Sequence, residues 1–209
     1  MWKEKVRKGL ASIWQWGARL QDRLLYHGCD FGSWVEPQEA GFTLEQGNRY
    51  QPSNRALLRV LGDLPITSQD RILDIGCGKG HAMVLMSRFP FQEVAGIELS
   101  AQLQDIANRN FARLGLPQCK AYRADAAVYQ DYDRFTYIYL FNSVPRVVFL
   151  AAMEQLCLSL RRRPCRCVLI YLNPVYHEEL VRSTPFRMVK VRSAWLPWFE
   201  YRVYTNGEN

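Results

Sequence analysis

Between residues 70 and 172 the chain switches repeatedly between two hydrophobic periods. Short apolar runs alternate with stretches in which apolar residues recur every three or four positions. Arg71–Ile75, Glu93–Glu98, Gln118–Arg123, Arg134–Phe141 and Cys165–Leu172 read as strands. Helical spacing covers Asn54 to about Asp63, Lys79–Phe89, Ser100–Leu114 and Val147–Leu160, with Ser100 as an N-cap. Phe186–Ala194 and Glu200–Thr205 read as two further strands. The turn-like Trp195-Leu196-Pro197-Trp198 is too short to hold a helix between them, so they predict an antiparallel hairpin. Strands alternating with helices predict an α/β domain: a Rossmann-like, mostly parallel sheet with helices on both faces and an antiparallel last strand. Such sheets bind ligands at the carboxyl ends of their strands, near the point where strand order reverses.

Upstream the pattern differs. Trp2, Val6, Leu10, Ile13, Gly17, Leu20 and Leu24 recur at helical steps, with Lys8, Ser12, Gln15, Arg19 and Asp22 on the other face. Residues 1–25 therefore predict a basic amphipathic helix. It either packs on the domain or meets an anionic membrane surface or a protein partner. The stretch from Leu10 to Ala18 is short, contains Gln15 and lacks a small-residue cleavage site, so it does not read as a secretory signal. Residues 26–52 show no sustained period and read as a loop-rich entry segment. Residues 53–209 form the main domain.

Charge sharpens this division. Lys and Arg number 27 against 20 Asp and Glu, a formal net charge of +7. Residues 1–25 carry six bases and two acids, and residues 161–192 carry eight bases and two acids. The remainder is slightly acidic. Basicity confined to two segments argues against a general nucleic-acid surface. No apolar run approaches the ~18–20 residues of a spanning helix. The six cysteines form no C-x-x-C pair, and the three histidines lack metal-ligand spacing. Cys165 and Cys167 alternate, which puts both on one face of a strand. Reduced thiols and no metal describe a cytoplasmic protein, at most peripheral to a membrane.

Candidate chemistry gathers after the first strand. Asp74-Ile75-Gly76-Cys77-Gly78-Lys79-Gly80 runs from strand through a glycine turn into a helix. The glycines allow a sharp turn and close approach to backbone. A dinucleotide site wants G-x-G-x-x-G with pyrophosphate on the helix N-terminus; here the spacing is G-x-G-x-G. Asp74 would repel a pyrophosphate. It suits a cationic ligand such as S-adenosylmethionine, with its ammonium and sulfonium, and so disfavours a nicotinamide-dependent oxidoreductase. Glu98 ends the second strand, placed to accept from ribose hydroxyls. Asp125 follows the third, placed to accept from an adenine amino group, with the Ala126 N–H as a donor. The G-x-x-x-x-G-K-[ST] pattern of a P-loop is absent.

These residues resemble the class I S-adenosylmethionine-dependent methyltransferases over roughly residues 50–205. Asp74 to Gly80 match the family's E/D-x-G-x-G-x-G motif, Glu98 its acid after strand two, and Asp125-Ala126 its adenine-side pair. The resemblance implies a seven-stranded sheet with the last strand antiparallel. It assigns cofactor contacts to Asp74, Gly76, Cys77, Gly78, Gly80, Glu98, Leu99, Asp125, Ala126 and Asn142. A narrower similarity covers Asp30-Phe31-Gly32 and Gly47-Asn48-Arg49-Tyr50-Gln51-Pro52-Ser53, shared with bacterial methyltransferases of undefined substrate. It implies that Tyr50 lies over the cofactor as a lid residue.

Phe141-Asn142-Ser143-Val144-Pro145 sits where the family has its fourth motif. Amine-directed relatives use [N/D/S]-P-P-[F/Y] there to hold the acceptor. Asn142 supplies the polar residue, and Ser143-Val144 depart from the pattern. The resemblance implies Asn142 as the residue that positions the acceptor, with Tyr171, Asn173 and His81 as further pocket candidates. The expected partner is an unidentified methyl acceptor, a small molecule or a protein amine, with RNA the weaker alternative. The departure at Ser143-Val144 also leaves open a methyltransferase-fold scaffold that binds without turnover.

Overall fold

The computed structural model describes residues 20, 24–32, 34–53, 55–193 and 200–207. The elements run α1 (Ala56–Gly62), β1 (Arg71–Ile75), α2 (His81–Met86), β2 (Glu93–Glu98), α3 (Ala101–Arg113), β3 (Cys119–Arg123), β4 (Tyr137–Leu140), α4 (Arg146–Arg162), β5 (Val168–Leu172), α5 (His177–Ser183), β6 (Arg187–Ser193) and β7 (Glu200–Thr205). The seven strands form one sheet in the order β3-β2-β1-β4-β5-β7-β6. β1 to β5 pair in parallel, and β7 runs antiparallel to both β5 and β6.

The period-two runs split the core into two layers. In β1, Ile72 packs into one layer with Leu57 and Leu61 of α1, Met83 of α2 and Phe111 of α3. Its neighbours Leu73 and Ile75 face the other layer, with Phe149, Met153 and Leu156 of α4 and Leu180 of α5. Helices thus cover both faces, as a mostly parallel sheet requires. Strand order reverses between β1 and β4, which opens a crevice at their carboxyl ends.

Several predicted boundaries shorten, each for a local reason. The fourth strand begins at Tyr137, because residues 132–134 form a 3-10 turn that buries Tyr132, whose hydroxyl donates to the Ala126 carbonyl at 3.0 Å. The fifth begins at Val168. Ahead of it, Asn206 stands in for a strand partner: its side chain accepts from the Cys167 N–H at 2.8 Å and donates to the Cys165 carbonyl at 3.0 Å. Cys165 and Cys167 do share one core layer. α2 stops at Met86, where the Ser87 hydroxyl donates back to the Val84 carbonyl and Pro90 follows. α5 was not predicted; it is a short, charged helix whose one buried side chain is Leu180.

The entry segment is tied down by side chains. Lys79, only 2% exposed, pairs with Asp30 at 2.7 Å. Asn110 of α3 accepts from the Asp30 N–H and donates to the Asp30 and Lys79 carbonyls. An isolated antiparallel bridge joins Val35 to Tyr50. Most of the predicted N-terminal helix and the predicted turn at 195–198 lie outside the described residues. Among those described, no helix is long and apolar enough to cross a membrane.

Candidate cofactor and acceptor site

A cavity of about 440 Å³ occupies the crevice. Asp74, Gly76, Cys77, Gly78, Glu98, Leu99, Asp125, Ala126, Asn142 and Tyr50 all line it. Gly80 does not. It starts α2 with φ +83°, and a Cβ there would come within 2.4 Å of the Phe111 ring, so its smallness serves helix packing rather than a ligand. Tyr171 is also absent from the lining: it is fully buried and stacks on Phe149 at 5.5 Å.

The glycine turn is held by the acid at the end of β2. Glu98 accepts from the Gly78 N–H at 2.8 Å and from the Ser100 N–H at 2.9 Å, one bond to each carboxylate oxygen. The Leu99 N–H also supports the carboxylate, which leaves part of its acceptor capacity unused. Asp74 is 3% exposed, and its carboxylate has no hydrogen bond or ion pair among the described residues. Burial, and then the neighbouring Glu98, hold the Asp74 carboxyl well above the usual carboxylate range. Burial also raises Glu98, against the backbone N–H bonds that lower it. Burial and the two acids push the Cys77 thiol up as well, so it is no thiolate nucleophile.

The turn glycines make room for protein rather than only for ligand. Gly76 and Gly78 have φ +71° and +54°. A Cβ on Gly76 would lie 2.5 Å from the Ser143 hydroxyl oxygen, and one on Gly78 would lie 2.1 Å from the Tyr50 ring. Tyr50 covers the turn. Its hydroxyl, however, donates to the Phe31 carbonyl at 3.0 Å, and Lys79 Nζ lies 5.5 Å from its ring centroid. Tyr50 therefore acts as a wall, with its hydroxyl committed elsewhere.

The fourth-motif segment is pinned from both sides. The Ser143 hydroxyl donates to the Ile75 carbonyl at 2.6 Å, which gives the unexpected serine a job at the end of β1. Asn48 of the entry segment donates its N–H to the Ser143 carbonyl at 3.0 Å and its side-chain amide to the Asn142 carbonyl at 2.8 Å. Asn142 itself has φ +40°, and its buried Oδ1 has no partner among the described residues. Asp125 accepts from the Ala127 N–H at 2.9 Å and shapes the turn after β3. His81 lines the cavity with Nε2 3.3 Å from the Tyr26 hydroxyl, and burial pushes its pKa down to about 4, so the ring is neutral.

The geometry fits a known family. Residues 72–163 match the family model described as a methyltransferase domain. Over those residues the chain is similar to methyltransferase domains. A 27-O-demethylrifamycin SV methyltransferase of Amycolatopsis mediterranei (strain S699) is 32% identical over 108 residues, 52% of this chain and 33% of that one. The match thus spans about a third of that relative's length. Among solved structures, a SAM-dependent methyltransferase from Aquifex aeolicus matches with TM-score 0.54 and 16% identity, over 71% of this chain and 88% of that one. A geranyl diphosphate C-methyltransferase from Streptomyces coelicolor A3(2), in complex with Mg2+, geranyl diphosphate and S-adenosyl-L-homocysteine, matches with TM-score 0.54 and 19% identity over 72% and 77%. At these identities the structures share the fold.

Sequence reasoning missed the residues that organise the cavity from a distance: Asn48, Ser143, and the Lys79–Asp30 pair. Nothing in local periodicity marks them, because their partners lie 49 to 94 residues away. Among the described residues, no group of three His, Cys, Asp or Glu is placed to hold a metal.

Proposed function

We propose that the domain binds S-adenosylmethionine at the Asp74–Gly78 turn and transfers its methyl group to a small molecule or a protein amine, the chemistry of class EC 2.1.1. The observation that carries this reading is the buried Asp74 carboxylate, which lines the cavity beside Glu98 with no hydrogen-bond partner among the described residues. Two crowded carboxylates in a dry wall call for a cationic ligand. Asp74 serves the ammonium end. Glu98, with acceptor capacity left, serves the ribose hydroxyls. Asp125 and the Ala126 N–H serve the adenine.

When bound, the cofactor supplies an electrophilic methyl carbon: the acceptor's lone pair forms the new bond, and sulfur keeps the electrons of the broken one. The chain's own residues hold the partners in line and keep water out. Tyr50 walls the turn, and Asn142 presents its amide where the acceptor enters. An amine acceptor reacts as the free base and then releases a proton to water. Protonated Cys77 offers no thiolate to compete for the methyl group, and neutral His81 adds no charge against the sulfonium. The thiols and the absence of a membrane-crossing helix among the described residues support a cytoplasmic enzyme.

The test is transfer of a radiolabelled methyl group from S-adenosylmethionine to fractionated cell extract. Label in a small-molecule or protein fraction is the expected result. Binding of the cofactor with no transfer to any fraction would favour a scaffold; label confined to RNA would overturn the acceptor class.

A further inference from the structure

The acceptor end of the cavity carries two features that cofactor binding does not use. Asn142 and Asn173 both line it, and both have left-handed backbones, with φ +40° and +51°. They are equivalent in the sheet. Leu140 of β4 pairs with Tyr171 of β5, so each asparagine stands two residues beyond a paired position. Neighbouring strands run about 4.8 Å apart, so the two residues follow adjacent strands at the same end of the sheet. Non-glycine residues seldom adopt this conformation, and such strain gathers at functional sites. Here the surroundings impose it. Asn48 holds the Asn142 carbonyl, and the Asn173 N–H donates to the Glu200 carbonyl at 2.8 Å.

The second feature is charge. Glu36, Asp74, Glu98 and Asp125 line the cavity against one guanidinium, that of Arg49. Arg49 is already engaged, 3.5 Å from Glu36 and stacked 4.3 Å from the Trp34 ring centroid. The nearby ammonium of Lys79 is held by Asp30. Unlike the cofactor's carboxylate, which arrives paired with its own ammonium, a carboxylate or phosphate on the acceptor meets excess negative charge and no uncommitted cation among the lining residues.

Building on the methyl-transfer reading, we infer that Asn142 and Asn173 together seat the acceptor, and that this seat takes an uncharged or cationic N–H-bearing group and rejects carboxylates and phosphates. An unpaired buried amide oxygen needs a donor, which an amine or amide nitrogen supplies and an anion does not. Asn173 is thereby a positioning and specificity residue, set at the end of β5. The class differs from the diphosphate named for the Streptomyces structure.

The experiment uses the full chain saturated with S-adenosylhomocysteine, with ligand-observed NMR on matched fragments: hexylamine, hexanamide, hexanoate and hexyl phosphate. Calorimetry with S-adenosylhomocysteine comes first, and its failure counts against the cofactor reading alone. Hexylamine and hexanamide bind, and the two anions do not. Asn142→Gly and Asn173→Gly keep the left-handed backbone and delete the amide. Each weakens hexanamide about five- to tenfold, the worth of one hydrogen bond, with melting temperature unchanged and, for Asn173→Gly, cofactor affinity unchanged as well. Anions binding as well as hexanamide, no fragment binding at all, or undiminished hexanamide binding in both variants would each overturn the proposal.

Discussion

Replacing Asp74 with Asn separates what this residue does for the ligand from what it does for the fold. The side chain is 3% exposed, has no partner among the described residues, and sits beside a second carboxylate. Its charge is thus a burden on the free protein. A charge-assisted hydrogen bond from the cofactor's ammonium is worth about 1.5–3 kcal/mol, and each 1.4 kcal/mol is tenfold. Asp74→Asn should therefore weaken S-adenosylmethionine about 10- to 100-fold by calorimetry. Stability should move the other way. The folded carboxyl is held above its unfolded value, so the folded state binds more protons across that window, and stability falls as pH rises through it. The variant lacks the group and loses that fall, so at pH 8 it should melt no lower than the parent. For the same reason, cofactor binding to the parent should release protons, visible as a buffer-dependent enthalpy. An affinity within threefold of the parent, or a melting temperature several degrees lower, would refute the assignment of Asp74 as a ligand-binding charge.

Other perturbations report on neighbouring elements. Glu98→Gln puts an amide N–H against one of two backbone donors, so it should lower both cofactor affinity and melting temperature, unlike Asp74→Asn. His81 has a folded pKa of about 4 against an ordinary value near 6.5. Its contribution is complete above that ordinary value and is lost as pH falls toward the folded one; urea titrations at pH 7 and pH 5 should show this loss reduced in His81→Gln. Gly80→Ala should cost roughly 1–3 kcal/mol of stability through strain at φ +83° and its clash with Phe111, while refolded protein keeps its cofactor affinity. Asp30→Asn strips the carboxylate from a buried lysine and should destabilise by about 1–3 kcal/mol in denaturant titrations, less than for a fully buried pair because Asp30 is half exposed.

What the sequence made legible is what local pattern encodes. Apolar runs marked all seven strands, because buried parallel strands concentrate apolar residues. Three acids after three successive strands, with the glycine turn, marked one wall of the cavity. Helix α5 stayed hidden because one buried leucine in seven residues makes no period. The acceptor end stayed largely hidden for another reason. Asn48 reaches 94 residues forward to Asn142, and Ser143 reaches 68 back to Ile75, so their roles exist only after the chain closes. Gly80 shows the converse: it fits the motif by spacing, yet its space is taken by Phe111.

Titration of the full-length protein with S-adenosylmethionine by calorimetry, with NADH as the comparison ligand, tests the central claim most directly. The account predicts saturable one-to-one binding of S-adenosylmethionine, competed by S-adenosylhomocysteine, and no heat with NADH, whose pyrophosphate the Asp74 and Glu98 carboxylates would repel. Binding of NADH in place of S-adenosylmethionine, or no binding of either, would contradict it.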